Sequence, residues 1–119
     1  MQPDVIGSLE DILEAIAFIE EDTSGLTRDE FLADRRARNL VERHFTVIGE
    51  AVTRLQRHAP DTAGRITGAR QIVDFRNVVV HGYDVIDYRR VWNIVDKMLP
   101  VLQSEVERIL AEVDDGEPT

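Results

Sequence analysis

Eight consecutive residues, Arg76-Asn77-Val78-Val79-Val80-His81-Gly82-Tyr83, bring together three residue types that phosphodiester chemistry uses. Imidazole moves protons near neutral pH, and a guanidinium fork holds the charge that develops on a phosphate. The spacing sets a geometric condition. Arg76 and His81 are five apart, about 140° around an ideal helix, so they do not share a face. Asn77 and His81, four apart, do. Arg76 and Tyr83 would align at seven, but Gly82 is placed to interrupt the helix. Convergence of Arg76 and His81 therefore requires the helix end to unwind, or a second copy of the motif to approach from another subunit. A two-fold dimer would bring two histidines together, one able to act as base and the other as acid. Spacing alone is a weak signal. A histidine near a helix C-terminus is favoured by the helix dipole in any case, and a tyrosine after a turn is commonly core.

The elements that must position these residues read as helices. Val5, Leu9, Ile12, Leu13, Ile16 and Ile19 form an i, i+3, i+4 stripe. Pro3-Asp4 stands at its start, Ser8 with Asp11 offers a weaker capping box inside it, and Thr23-Ser24-Gly25 stops it. Thr27-Arg28-Asp29-Glu30 matches a capping box and predicts a short helical turn through Phe31 and Leu32. After Asp34 the longest stripe carries Ala37, Leu40, Val41, His44, Ile48, Ala51, Val52 and Leu55, with Phe45 and Val47 on its flanks, and ends before Pro60. A third helix is expected from about Ile66 to Val80. Its Val78-Val79-Val80 run would suit a strand, but the periodic stretch is too long for one. The last helix is expected from Asp87 to Val113, kinked at Pro100. The expected fold is all-α, an antiparallel bundle of four main helices plus a short helical turn. It forms one domain over residues 1–113, followed by an acidic flexible tail, 114–119.

Composition narrows the chemistry. The chain has 119 residues and no cysteine, which removes disulfides, thiolate metal sites and cysteine nucleophiles. No Gly-rich phosphate loop, His/Asp metal cluster or serine elbow is present, so no metal or cofactor is expected. No apolar run reaches membrane-spanning length, and the N-terminus has acids where a signal peptide has bases, so the expected address is the cytoplasm. The net charge of −9 is unevenly spread. Residues 1–34 hold ten acids and one base, whereas residues 35–90 hold eleven bases, all arginine, and six acids. Arg35, Arg36, Arg38 and Arg43 are candidate RNA contacts, because phosphate contacts supply sequence-independent affinity. The competing reading is a solvated face paired to the acidic first helix.

Other residues divide between structure and chemistry. His44, on the apolar stripe, reads as a core or interface histidine, and His58 as exposed. Gly49 allows a neighbouring helix to approach closely, and Glu50 beside it is a candidate partner for an arginine near the cleft. Tyr88 and Trp92 read as core or interface anchors.

The chain resembles the HEPN superfamily of helical-bundle nucleases, and within it the HepT-like toxins encoded beside minimal nucleotidyltransferase (MNT) antitoxins. The resemblance rests on R-x-x-x-x-H-x-Y at Arg76, His81 and Tyr83, on the polar Asn77, and on Gly82. It extends to Leu9–Ile16, to Ile48-Gly49-Glu50-Ala51, and to Val85-Ile86-Asp87 with Val91-Trp92. Two positions differ from the family pattern: no tryptophan stands near Pro60, and Asp74 occupies a position that is often glycine. The resemblance implies a HEPN-like fold and a metal-independent RNase that dimerises around one cleft. Arg76 would bind the scissile phosphate, His81 would transfer protons and Asn77 would support them. Tyr83 would be the residue that an MNT antitoxin modifies with AMP. The alternative is a non-catalytic HEPN docking subunit for the nucleotidyltransferase.

Overall fold

The computed structural model describes residues 1–81 and 86–116, with side chains over 1–77 and 86–113. Among the described residues the chain is helical and has no strand. α1 spans Pro3–Thr23, α2 Arg28–Ala33, α3 Arg35–His58, α4 Pro60–Ala63 and α5 Ala69–His81. α6 spans Tyr88–Asn93, continues through one π turn at Ile94–Met98, and becomes α7, Leu99–Gly116. Four long helical runs plus the short α2 make the expected all-α bundle. The one-turn α4 is an addition.

Local chemistry accounts for most boundaries. α1 starts on Pro3, whose missing N–H costs nothing in the first turn. It ends where Gly25 takes a φ of 78°, a left-handed conformation that a side chain would strain. The expected capping box at Ser8 does not form, because that residue lies inside the helix. Its hydroxyl donates to the Asp4 carbonyl at 3.1 Å and accepts from Arg54 Nε at 3.2 Å. The box at Thr27 does form. Thr27 N–H donates to Glu30 Oε1 at 3.0 Å, and Glu30 N–H to Thr27 Oγ1 at 3.2 Å. These bonds favour the Glu30 carboxylate and hold its pKa below the ordinary value. α3 ends at His58, before Pro60, and Pro60 starts α4. α5 begins at Ala69 rather than Ile66, because residues 64–68 form a turn tied to α7. In that turn the Thr67 hydroxyl donates to Glu105 at 2.7 Å, and Arg65 grips Glu112 through both amino groups at 2.7 and 2.8 Å. α7 runs to Gly116, past the expected end at Val113, since no glycine or proline interrupts it sooner. The rest of the expected tail, 117–119, lies outside the described residues.

α1 and α3 lie antiparallel, with Asp11 of α1 against Arg54 near the end of α3 and Asp22 against His44 near its middle. Their seam holds Leu9, Ile12, Ile16 and Ile19 against Val41, Ile48, Val52 and Leu55, all essentially inaccessible to water. Each such side chain contributes on the order of 1.5–3 kcal/mol of burial. α7 closes the other side of α1 with Leu102, Val106 and Ile109, and α5 packs on α3. Phe45, expected on a flank, is fully buried and meets Phe75 edge-on at 5.3 Å, while Leu40 and Val47 turn outward. α2 inserts Phe31 beneath Trp92 at 5.2 Å, so Trp92 is an anchor, as its type suggested.

The last helix departs from expectation before its proline. The kink expected at Pro100 is preceded by the π turn, in which Leu99 N–H reaches the Ile94 carbonyl. An i→i+5 turn takes one more residue than a regular turn and so shifts the phase of the side chains beyond it. No described helix is long and apolar enough to cross a membrane.

Candidate active site

The candidate site lies where α5 packs on α3. Gly49 of α3 is buried, and a Cβ built on it would lie 2.6 Å from Arg76 Cγ and closer still to Arg76 Cβ. Only glycine lets the arginine stem lie against the α3 backbone. The aliphatic part of Arg76 is thus fixed by packing, and its side chain is 24% exposed. Nη1 donates to Asn77 Oδ1 at 3.0 Å, Nη2 lies 3.5 Å from Glu50 Oε1, and Nε is buried without a partner. The expected role of Gly49 is met, and so is the expected pairing of Glu50 with an arginine. Asn77 stands beside Arg76 and fixes one of its amino groups.

α5 keeps its helical backbone from Arg76 through His81. The helix therefore does not unwind between these two residues, which removes one of the two routes to their convergence within this segment. The side chain of His81 and the whole of Gly82 and Tyr83 lie outside the described residues. Asp74, the departure from the family pattern, is exposed on α5.

The four arginines at the start of α3 separate into two sets. Arg35, Arg36 and Arg43 are exposed and, with Asn39 and Leu40, line a shallow depression of about 540 Å³. Arg38 turns inward instead. Its Nη1 donates to the Leu32 carbonyl at 3.1 Å, and its guanidinium sits 4.7 Å over the ring of Tyr88. The Arg38 Nε is buried without a partner. The Tyr88 hydroxyl donates to Glu42 in a short contact. Burial foremost, then the hydrogen bond and charge of Glu42, push the Tyr88 phenol above its ordinary value, against the opposing charge of Arg38. Glu42 went unnoticed in the sequence, because its partner Tyr88 lies 46 residues further on. Arg38 is committed to tying α2, α3 and α6 together, and the other three face solvent.

The remaining histidines stand apart from this crossing. His44 stacks on Phe18 at 5.1 Å and lies 3.5 Å from Asp22, so it belongs to the α1–α3 interface. His58 is exposed at the end of α3 beside the start of α1. Among the described residues no cluster of histidine and carboxylate side chains could hold a metal ion.

Comparisons with known proteins agree with this architecture. A family model described as "Ribonuclease HepT-like" matches residues 12–109. A Methanocaldococcus jannaschii protein named "Gamma-glutamylcyclotransferase and putative RNase MJ0434" is 31% identical over 114 residues, which cover 96% of this chain and 51% of that protein. The chain thus spans about half the length of this relative. "Putative RNase MJ0127" of the same organism is 32% identical over 93% of this chain and 91% of its own length. "Probable ribonuclease HepT" of Thermococcus cleftensis is 32% identical over 85% and 91%. No solved structure matches the chain. The match to the family model takes in α3, its crossing with α5, and most of α7, and on that extent the chain belongs to the HepT-like family.

Proposed function

We propose that this protein is a metal-independent endoribonuclease and the toxin of a toxin–antitoxin pair. The observation that carries the reading is Arg76: a partly exposed guanidinium locked by its stem against Gly49, on a chain of the HepT-like family. Relatives of nearly equal length bear ribonuclease names, which supports RNA as substrate. In the proposed reaction the ribose 2′-hydroxyl loses its proton to a base and attacks the adjacent phosphorus. The bond to the 5′-oxygen breaks, and that oxygen takes a proton from an acid. The products are a cyclic phosphate end and a free 5′-hydroxyl. His81 serves as acid or base, Arg76 holds the charge on the phosphoryl oxygens, and Asn77 steadies Arg76.

The helix geometry favours a homodimer. Because α5 stays helical from Arg76 to His81, the arginine of one subunit and the histidine of another are the simplest pair to face one phosphate. Arg35, Arg36 and Arg43 guide RNA to the cleft. Two of them occupy the first turn of α3, where the helix dipole disfavours positive charge, so helix stability does not explain their placement. In the silenced state an MNT nucleotidyltransferase antitoxin places AMP on Tyr83, adding negative charge and bulk that oppose the RNA backbone.

The test is RNA cleavage in EDTA by wild-type protein and by His81→Ala, each freed of any partner. Intact mass is measured first, so that AMP-blocked protein is not scored as inert. Cleavage is expected from unmodified wild type alone. Loss of cleavage in chelator, or its survival in His81→Ala, would overturn the mechanism. Silence of folded, unmodified protein on several RNA classes would favour the docking subunit instead.

A further inference from the structure

The Arg76 guanidinium already has an anion at its accessible edge. Of its three nitrogens, Nε is sealed from solvent, so a bidentate phosphate must use the edge formed by the two amino groups. Glu50 Oε1 stands 3.5 Å from one of them. The two partners differ in freedom. Arg76 is pinned at its Cβ and Cγ by the backbone of α3, whereas the Glu50 side chain is 48% exposed. A separation of 3.5 Å is also longer than the roughly 2.7–2.9 Å of a charge-assisted hydrogen bond, so the carboxylate is held loosely. The arginine stays and the glutamate can leave.

We propose that Glu50 is a positioning residue that occupies the phosphate's place on Arg76 until a polyanion displaces it, and so sets how tightly the arginine takes a phosphate. The proposal rests on the ribonuclease reading only for the identity of that polyanion, the RNA backbone. Glu50 steadies the fork in the empty site and competes with the substrate for it. Removing its charge without changing its shape should strengthen phosphate binding, and should do so only through Arg76.

The experiment measures binding of a 2′-methoxy RNA oligonucleotide, which lacks the attacking hydroxyl, across a salt series. Wild type, Glu50→Gln, Arg76→Met and the double variant form the cycle. Methionine keeps an aliphatic stem against Gly49, and Arg76→Gln supplies a second background without the charge. Glu50→Gln is expected to bind about 3–10-fold more tightly at low salt, with a salt slope steeper by about one. In either Arg76 background the gain should fall below about twofold. An equal gain in all backgrounds would make Glu50 an ordinary repelling surface charge and overturn the proposal, as would no gain or weaker binding. Coupled binding by a protein that leaves cleavable RNA intact would sink the ribonuclease reading and leave the role of Glu50 standing. Cleavage without coupling would do the reverse. A wild type that neither binds the oligonucleotide nor cleaves RNA overturns both.

Discussion

Along α3, positive charge is handled in two ways, and the contrast separates attraction from positioning. In the first turns, Arg35, Arg36 and Arg43 extend into solvent from an exposed face. At the middle of the same helix, Arg76 of α5 is pressed against Gly49 and flanked by Glu50 and Asn77. An exposed arginine adjusts its rotamer to whatever phosphate arrives, which suits capture but not alignment. A pinned guanidinium has already lost that freedom before the substrate binds, which is the condition for stabilising charge at one defined point. Arg38 stands between the two regimes. It shares the first turns of α3 with the exposed set, yet is held by Leu32 and Tyr88 and is spent on the fold.

The strongest way to break the contrast is to replace arginine by lysine at both places. Arg76→Lys keeps a charge but loses the fork, and cleavage should fall about 100-fold or more in a single-turnover assay, with little change in melting. The combined Arg35→Lys, Arg36→Lys, Arg43→Lys variant should cleave within about twofold of wild type, because a solvated contact needs only charge. Next in size is Gly49→Ala. Its methyl group would enter space filled by the stem of Arg76, at a cost of about 1–3 kcal/mol in a urea titration. Cleavage should fall about tenfold or more as the guanidinium shifts. Neutralising the exposed set, as Arg35→Gln, Arg36→Gln and Arg43→Gln together, should leave turnover at saturating RNA unchanged. It should weaken binding and reduce the salt slope by about three. The smallest effect concerns the inward arginine's partner. The Tyr88 phenol titrates above its ordinary value of 10.0 in the folded protein, so its contribution is fully present below about pH 10 and is lost as pH rises through the higher folded value. Melts between pH 8 and 11 should show this decline in wild type and a flatter curve, from a lower starting stability, in Tyr88→Phe.

How far the sequence could be read depended on how local each cause was. The box at Thr27, the end of α3 before Pro60 and the α1 stripe are set by neighbours within four residues, and all are present as expected. The close approach at Gly49 and the partner of Glu50 were also legible, because a glycine followed by an acid on an apolar helix invites a crossing element. The inward turn of Arg38 was not. It depends on Tyr88, fifty residues further on and brought near only by the packing of α6, and nothing in the spacing of the arginines marks one as different from the rest. Ser8 misled for the opposite reason. Its local pattern suggests a cap, but a contact with Arg54 from another helix and a buried position claimed it.

The π turn before Pro100 has a consequence for how the C-terminal run tolerates change. Buried positions in this run fall at Val91, Ile94, Leu99, Leu102, Val106 and Ile109. Every step between them is three or four residues except the five from Ile94 to Leu99, which a regular helix would rotate about 140° out of phase. The turn works as a phase slip: it takes up one residue so that the apolar sides of α6 and α7 meet the same core. The slip is therefore fixed by two buried side chains on either side of it, and the proline downstream rides on a register already set. Exchanging Pro100 for a better helix former would leave the wide turn in place. Deleting a single residue between 94 and 99 would leave a four-residue step that a regular helix keeps in phase, so the wide turn would close with Leu102 through Ile109 still on α1. Inserting one would swing them away.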